Sequence, residues 1–145
     1  MYDLASLVPH RPPMLLLGQI VDVSQSTVIA EVNISTNTTF FILNRGVPAW
    51  VGIEYMAQAA AVLGGFQMCE KRTEQHSGYL VGTPKYTCSV AWFRAGDRLR
   101  VKCSCNIQST AIFPLKHYHC EILIRQANID KVIASARLSI YQRSQ

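Results

Sequence analysis

One acidic side chain stands alone in the most apolar part of the sequence and is the first candidate for chemistry. Glu54 is the only acid between Phe40 and Cys69. An apolar surrounding disfavours the charged form of a carboxyl group. A carboxyl that stays protonated near neutral pH can give its proton to a leaving hydroxyl. The alternative is a helix carboxylate that points to solvent or caps a loop.

Two further side chains could act together with this carboxyl. Gln58 follows Glu54 by one helical turn and lies on the same face, so it could hold the carboxyl in place or serve as a core amide. His10 lies within residues 9–13 (PHRPP), where the prolines keep the chain stiff and extended. A stiff segment presents an imidazole at a fixed place, as a general base requires. The alternative for His10 is a structural histidine that packs the N-terminal arm.

The other histidines and the cysteines carry weaker signals. His117 and His119 share one face of a predicted strand, but no third metal ligand has suitable spacing, and we interpret both as surface residues. His76 falls in a polar loop, where we expect it to be solvated. An odd number of cysteines without C-x-x-C spacing indicates reduced core thiols in a cytoplasmic protein rather than disulfides or a zinc site. These cysteines are Cys69, Cys88, Cys103, Cys105 and Cys120.

Length and composition indicate a globular chain. The 145 residues predict a single domain over 1–145. Apolar residues make up 49% and charged residues 16%, which excludes a disordered or collagen-like chain. The N-terminus lacks the features of a signal peptide. Residues 47–69 are long enough to span a membrane, but Glu54 and Gln58 on one face favour a helix buried in a soluble fold, so we expect no membrane span.

The sequence lacks the short motifs of several large enzyme classes. It contains no glycine-rich dinucleotide or phosphate loop, no H-E-x-x-H and no G-x-S-x-G. Its aromatic residues do not interleave with a basic stripe, as an RNA-binding sheet requires. We therefore expect no metal, no cofactor and no nucleic acid. The formal net charge of +5 favours an acidic partner.

The hydrophobic pattern predicts one long helix and about six strands. The helix covers residues 49–72 and follows Pro48, which suits the first turn of a helix. The predicted strands cover residues 14–23, 27–34, 78–93, 97–107, 114–126 and 131–142. A helix that is apolar nearly all round must be covered on most of its sides. A curved antiparallel sheet wrapped around one long central helix gives the α+β hotdog fold.

Three segments, in order along the chain, resemble the FabZ-type 3-hydroxyacyl-acyl carrier protein dehydratases. Residues 7–17 (LVPHRPPMLLL) resemble the L-P-H-R-x-P-x-L-L motif of that family, and residues 46–58 (GVPAWVGIEYMAQ) resemble its helix motif ending E-A-M-A-Q. Residues 78–82 (GYLVG), leading to residues 94–99 (RAGDRL), resemble its strand pair ending P-G-D-x-L. The first two segments are most similar to the ApeP-type branch, which is associated with aryl polyene biosynthesis.

This resemblance implies dehydration of 3-hydroxyacyl-acyl carrier protein thioesters to trans-2-enoyl products. In that reaction Glu54 is expected to protonate the leaving hydroxyl. A histidine, either His10 or one from a partner chain, is expected to remove the C2 proton.

The resemblance also implies a substrate site at the start of the helix. Backbone amides around Ala49 and Gly52 are expected to polarise the thioester carbonyl, since these small residues allow close approach. Trp50 is expected to line the acyl channel or to fill the core. Gln58 completes the predicted substrate-binding set.

One departure from the family leaves the catalytic base open. FabZ-type enzymes carry their catalytic histidine in an H-F-P-G loop before the helix. The corresponding residues 40–48 (FFILNRGVP) contain no histidine, and this segment is several residues shorter than the loop of that family. Another histidine serves, a partner supplies one, or the chain is a non-catalytic partner that shapes the acyl tunnel of another hotdog subunit. A further alternative is an acyl-thioester hydrolase in which Glu54 activates water.

The predicted partners are an acyl carrier protein and a second hotdog chain. Long edge strands invite pairing, so we expect a homodimer or heterodimer with the site near the interface. Acyl carrier proteins are acidic, and Arg98, Arg100 and Lys102 share one face of a predicted strand as a possible docking patch. The sequence leaves open the acyl chain length, aryl or alkyl preference, and the choice between homodimer and heterodimer.

Overall fold

A long helix lies against one face of an antiparallel sheet in the computed structural model, which describes residues 3–71, 77–82, 85–105 and 115–143. The helical segments are α1 (Leu4–Leu7), a 3-10 turn (Ala49–Val51) and α2 (Gly52–Lys71). The strands are β1 (Gln19–Val23), β2 (Thr27–Asn33), β3 (Val47–Pro48), β4 (Ser77–Gly82), β5 (Tyr86–Cys88), β6 (Trp92–Phe93), β7 (Arg98–Cys105), β8 (Leu115–Gln126) and β9 (Ile129–Arg143). No helix in these ranges has the length and apolar character needed to cross a bilayer.

The strands confirm the predicted α+β hotdog architecture. The main sheet runs in the order β1-β2-β7-β8-β9-β4, and β5 also pairs with β9, so that β4 and β5 share one position in a six-strand path. Every pairing along it is antiparallel. The short strands β3 and β6 form a separate pair at the start of the helix. His76 and the residues next to β7 and β8 at 106–114 lie outside the described residues.

Strict alternation along β7 shows how the sequence sets the two faces of the sheet. Leu99, Val101 and Cys103 are fully buried, while Arg98 and Lys102 are exposed. The Cys103 thiol donates to the carbonyl oxygen of Met56 in α2 at 3.4 Å, so this face packs directly on the helix. Burial raises the pKa of the Cys103 thiol, which keeps it neutral. Cys88, Cys103 and Cys120 are free thiols, and the last two are buried.

The predicted strand over residues 78–93 is wrong as a single element. The structure divides it into β4, β5 and β6, and only the first two pair with β9. After β5 the chain turns toward the helix, where the carbonyl oxygen of Ala91 accepts a hydrogen bond from the amide of Ala49 at 3.0 Å. Polar backbone groups at the helix start need partners, and this segment supplies one. Local alternation of side chains carries no information about that change of partner.

The N-terminal part also differs from the expectation. The first strand begins at Gln19 instead of residue 14, because residues 14–16 bond to a side chain of α2 and not to a neighbouring strand. A short helix, α1, precedes it and was not predicted; Asp3 caps it by accepting a bond from the amide of Ala5 at 3.2 Å. Its Leu4 and Leu7 are buried against the core.

Close contact between α1 and α2 depends on Gly65. A Cβ atom built on Gly65 would overlap the carbonyl oxygen of Leu7 and lie 2.9 Å from its carbonyl carbon. This spacing explains one of the small residues in α2, since a backbone group, not a flexible side chain, occupies the place of the missing Cβ.

We expect Gly65→Ala to destabilise the fold by about 1–3 kcal/mol through overpacking. The sign of the change is informative, because in an uncrowded helix position alanine is more stable than glycine by about 1 kcal/mol. Urea unfolding followed by circular dichroism measures the difference. A midpoint equal to or above that of the unchanged protein would contradict the close α1–α2 contact.

Candidate active site

The Gln58 side chain joins the N-terminal arm to the helix. It is fully buried, and its amide makes three hydrogen bonds. The Oε1 atom accepts from the amide of Leu16 at 2.8 Å, and Nε2 donates to the carbonyl oxygen of Met14 at 2.7 Å. Nε2 also donates to Oε1 of Glu54 at 3.0 Å. Gln58 therefore holds the arm and the carboxyl in one arrangement.

These contacts fix the orientation of the Gln58 amide and of the carboxyl. The amide of Leu16 is a donor and must face Oε1, so both Nε2 protons are available for Met14 and Glu54. Oε1 of Glu54 is thereby held as an acceptor, and a proton on this carboxyl belongs on Oε2. Both amide protons of Gln58 are used within the chain, which fits a positioning role, and its part in substrate binding stays a prediction.

His10 lies beside Glu54, as the pairing of these two candidates requires. Its Nε2 atom is 3.8 Å from Oε1 of Glu54, and the two side chains are 29% and 42% exposed. The apolar surrounding predicted for Glu54 is therefore incomplete in the single chain. The Nδ1 atom of His10 is buried and has no hydrogen-bond partner among the described residues.

The unpartnered Nδ1 atom bears on the role of His10. A general base needs an unprotonated Nε2 facing the substrate, which in the neutral ring places the proton on Nδ1. A buried donor without a partner costs about 1–3 kcal/mol. Without its proton, Nδ1 is a buried acceptor that also lacks a partner in the described part of the chain, so this atom does not decide between Nε2 as a base and Nε2 as a donor toward Glu54.

Arg11 keeps the segment that carries His10 in its turn. Its Nη1 atom donates to the carbonyl oxygens of Val8 at 2.9 Å and His10 at 2.8 Å. The backbone amides of Met14 and Leu15 donate to the carbonyl oxygen of Arg11 at 2.9 and 3.1 Å. Gln58 bonds the same segment at Met14 and Leu16, so the backbone is held on both sides of Arg11, next to His10.

The start of the helix is fixed by a tyrosine that the sequence reasoning missed. The Tyr86 hydroxyl donates to the carbonyl oxygen of Ala49 at 2.7 Å and occupies the space where a Gly52 Cβ atom would lie. Burial raises the pKa of the Tyr86 phenol, which therefore stays a neutral donor. Nothing in the local pattern of β5 identifies this residue.

This packing changes the interpretation of two predicted substrate residues. The amide of Ala49 donates to Ala91, and the amide of Gly52 bonds the carbonyl oxygens of Ala49 and Trp50. Gly52 is small because Tyr86, Ile122 and Phe93 pack against it. Neither amide is available to a thioester carbonyl in this arrangement. The role of Ala49 and Gly52 in substrate binding stays a prediction.

Trp50 is positioned on the surface at the helix start. Its side chain is 64% exposed, and its ring centroid is 6.1 Å from that of Phe40. It lies in the 3-10 turn, four residues before Glu54. This exposure is compatible with the predicted channel lining and not with a core-filling role.

The remaining candidates lie away from the carboxyl. His117 is exposed and hydrogen-bonds Ser139 at 3.0 Å, and no group of three His, Cys, Asp or Glu residues in the described part of the chain could hold a metal. Arg98, Arg100 and Lys102 lie on the sheet face opposite the helix. Their register neighbours include Glu31 beside Arg100 and Glu121 beside Lys102, which reduces the local positive charge.

Fold and site together define a hotdog-fold protein with a carboxyl and an imidazole paired near the start of its helix. Sequence comparison gives the family. The model of the ApeP-like family, described as "ApeP dehydratase", matches residues 2–145. The chain belongs to this family of dehydratases.

Relatives of known name agree with this assignment. The chain is 30% identical over 143 residues to the 3-hydroxyacyl-acyl-carrier-protein dehydratase FabZ of Pseudoalteromonas translucida, covering 94% of this chain and 81% of the relative. It is 34% identical over 84 residues to FabZ of Chlamydia trachomatis, covering 54% of this chain. The match spans only about half, 55%, of that relative's own length.

Solved structures extend the likeness to the whole chain. The dehydratase heterocomplex ApeI:P from Xenorhabdus doucetiae contains a chain with 27% identity and a TM-score of 0.84, and the match covers 100% of this chain and 93% of that one. A hypothetical thioesterase from Streptococcus pneumoniae, solved with coenzyme A, matches with a TM-score of 0.65 at 10% identity, covering 88% of this chain and 86% of that one. The second likeness shows the fold alone.

We expect Gln58→Met to lower the free energy of unfolding by about 2–4 kcal/mol, because the buried amide of Leu16 and the carbonyl of Met14 lose their partner. Gln67→Met provides a control at a second buried helix glutamine, whose side chain donates to the carbonyl oxygen of Gln25 at 2.6 Å and accepts from Nζ of Lys116 at 3.4 Å. Chemical denaturation measures both variants. Equal losses at the two positions would contradict the special role of Gln58.

Proposed function

We propose that this chain is a subunit of a dehydratase that converts 3-hydroxyacyl thioesters on an acyl carrier protein to trans-2-enoyl thioesters. Its family membership and its similarity to FabZ support the reaction. Similarity to a chain of the ApeI:P heterocomplex supports the assembly with a second hotdog subunit. The single observation that carries the proposal is the Glu54 carboxyl, half exposed and oriented by Gln58 at 3.0 Å.

Glu54 is proposed as the general acid. Gln58 holds Oε1 as an acceptor, so the proton to be transferred sits on Oε2. Protonation of the C3 hydroxyl by Oε2 lets water leave as the C2–C3 double bond forms. In this proposal a partner subunit closes the site and excludes bulk water from the reacting groups.

The thioester carbonyl is proposed to bind at the 3-10 turn before the helix. The amides of Ala49 and Gly52 are engaged within the chain, and the 3-10 turn pairs the amide of Val51 with the carbonyl of Pro48, so the amide of Trp50 is the candidate in this turn. Donors at a helix start stabilise negative charge on an enolate oxygen. Tyr86 acts as a positioning residue here, since it fixes the carbonyl of Ala49.

The base that removes the C2 proton is proposed to come from the second subunit. Residues 40–48, which stand where FabZ-type enzymes carry their catalytic histidine, contain no histidine. In this proposal His10, whose Nε2 atom lies 3.8 Å from Oε1 of Glu54, is a positioning residue, although the resemblance also allowed His10 as the base. The two roles predict different behaviour for a glutamine substitution.

The acyl carrier protein remains the proposed bearer of the substrate, and its docking place on this chain is open. The patch of Arg98, Arg100 and Lys102 faces away from the helix and is accompanied by Glu31 and Glu121. Exposed ion pairs contribute only about 0–1 kcal/mol each. Any attraction of an acidic carrier by this face is therefore collective and screened by salt.

An assay of the chain alone and with its second subunit tests the proposed function. The two chains are purified singly and as a co-expressed complex, then incubated with a 3-hydroxyacyl and a saturated acyl thioester. Loss of one water with the thioester intact, seen by mass spectrometry in the complex, is the expected result. Release of free thiol from both substrates would establish a hydrolase instead. A complex inactive on both would overturn the proposal.

We expect Glu54→Gln to lower the dehydration rate of the complex by roughly 100-fold or more, the effect of losing a general acid. The fold should be retained, because the new amide oxygen can still accept from Gln58. Turnover and a thermal melt are measured on the same preparation. Activity within a few-fold of the unchanged complex would remove Glu54 from the chemistry.

We expect His10→Gln to lower the dehydration rate by less than about tenfold, since glutamine keeps a donor near Glu54 but cannot act as a base. His10→Ala, which lacks the donor, should be the slower of the two variants. The pH profile of each is compared with that of the unchanged complex. A loss as large as that of Glu54→Gln in both variants would make His10 the base.

A further inference from the structure

The surface around the start of the helix exposes an unusual concentration of apolar side chains. Of the eight large apolar residues that are exposed in the described part of the chain, five occur on residues 40–43, on the helix start and on the neighbouring arm. This apolar patch consists of Met14, Phe40, Ile42, Leu43 and Trp50. Single exposed apolar residues are ordinary, but a cluster of them marks an interaction surface.

The loop that carries most of the patch is held in one conformation. The amide of Ile42 donates to the carbonyl oxygen of Gly46 at 2.8 Å, and the amides of Arg45 and Gly46 donate back to Ile42, each at 2.9 Å. Gly46 adopts a φ of 120° and packs directly on the carbonyl of Phe93, so no larger residue fits there. A preformed loop loses little conformational entropy when a partner covers it.

Phe40 adds a second sign of constraint. Its φ is 69°, in the left-handed region that a bulky residue rarely adopts. This backbone turns an exposed phenylalanine toward Trp50, with ring centroids 6.1 Å apart. Unfavourable backbone conformations at the surface occur preferentially where a side chain is needed for binding.

The patch continues into the site of Glu54. The Thr39 hydroxyl donates to the carbonyl oxygen of Pro13 at 3.3 Å, which joins the loop to the arm that carries His10. Trp50 lies in the 3-10 turn, four residues before Glu54. The patch therefore borders the segment in which His10 lies beside the 42% exposed side chain of Glu54.

The composition of this surface fits a protein partner better than a charged one. Residues 39–50 contain one charged residue, Arg45, whose guanidinium carbon is 5.6 Å from the ring centroid of Trp92. An acidic carrier protein or an anionic membrane requires a cluster of basic residues. Aromatic residues, Met and Arg without Lys, Asp or Glu are the composition of the centre of a protein interface.

From these observations we propose that the loop over residues 40–46, which has no catalytic histidine, is a docking element whose apolar patch is covered by the second hotdog subunit. The proposal rests on the proposed function for the identity of that partner. The similar chain of the ApeI:P heterocomplex, whose match covers all of this chain, is the observation that favours a second hotdog chain as the occupant. Docking at this place completes the site by excluding water from Glu54.

Two exposed apolar pairs of similar accessibility give a matched test. Leu43 and Ile42 in the patch are 75% and 46% exposed, and Ile129 and Val132 near the β8–β9 hairpin are 70% and 46% exposed. Leu43→Asp and Ile42→Ser are compared with Ile129→Asp and Val132→Ser. The probe is the ApeI-type chain of the same organism, and its dissociation constant is measured by biolayer interferometry after thermal melts have shown that each variant is folded.

We expect Leu43→Asp to weaken binding at least about tenfold, as for a residue central to an interface, and Ile42→Ser to weaken it less. The hairpin variants should bind like the unchanged chain. Dehydration by the Leu43→Asp complex should recover when the partner is supplied far above the new dissociation constant, because the catalytic groups are intact.

Several results would overturn the docking element. The first is equal binding by the patch and hairpin variants, and the second is no binding of the ApeI-type chain by the unchanged protein. The third is that Leu43→Asp abolishes self-association of this chain but not its binding to the ApeI-type chain. The fourth is that Leu43→Asp abolishes binding to phosphatidylglycerol vesicles and leaves complex formation unchanged. The proposed function fails separately, if the complex of unchanged chains leaves 3-hydroxyacyl thioesters intact. In that case the comparison of dissociation constants still decides the role of the patch.

Discussion

The arrangement of the site depends on the side-chain amide of Gln58, which makes three hydrogen bonds. It is buried within the protein, where an unpaired polar group is costly, and its three hydrogen bonds join two parts of the chain. Two of them hold backbone groups of the N-terminal arm and the third holds the Glu54 carboxyl. Without this amide the arm has no polar attachment to the helix at residues 14–16, and His10 loses its fixed place beside Glu54.

The same amide imposes a direction on the carboxyl. Oε1 of Glu54 is committed as an acceptor, which leaves Oε2 to carry a proton. His10 lies beside this carboxyl, with its Nε2 atom 3.8 Å from Oε1. Residues 40–48 contain no histidine, and this is the reason for seeking the base on a second subunit.

Packing of the helix on the sheet determines what the helix start can do. Tyr86 and Ala91 approach from the β5–β6 segment and satisfy backbone groups of Ala49, while Gly52 provides the space for the Tyr86 hydroxyl. Polar groups that a helix start would otherwise leave open are thus partly closed by the fold. What remains open is the face that carries Trp50 and Glu54, next to an apolar loop. The exposed surface at the helix start is therefore also the surface that carries the Glu54 carboxyl.

The sequence by itself determined the elements and faces that depend on local periodicity. Alternation in β7 predicted its buried side, the apolar run predicted α2, and the spacing of four residues placed Glu54 and Gln58 on one helix face. The tertiary structure alone decided the contacts between distant segments. Gln58 bonds backbone groups 42 and 44 residues away, and Tyr86 bonds a carbonyl 37 residues away. Partners outside residues 78–93 likewise decide which parts of this segment pair with β9 and where the chain leaves the sheet. Local side-chain patterns set which face is apolar, but the chain path sets which polar groups meet, and the site is made of such meetings.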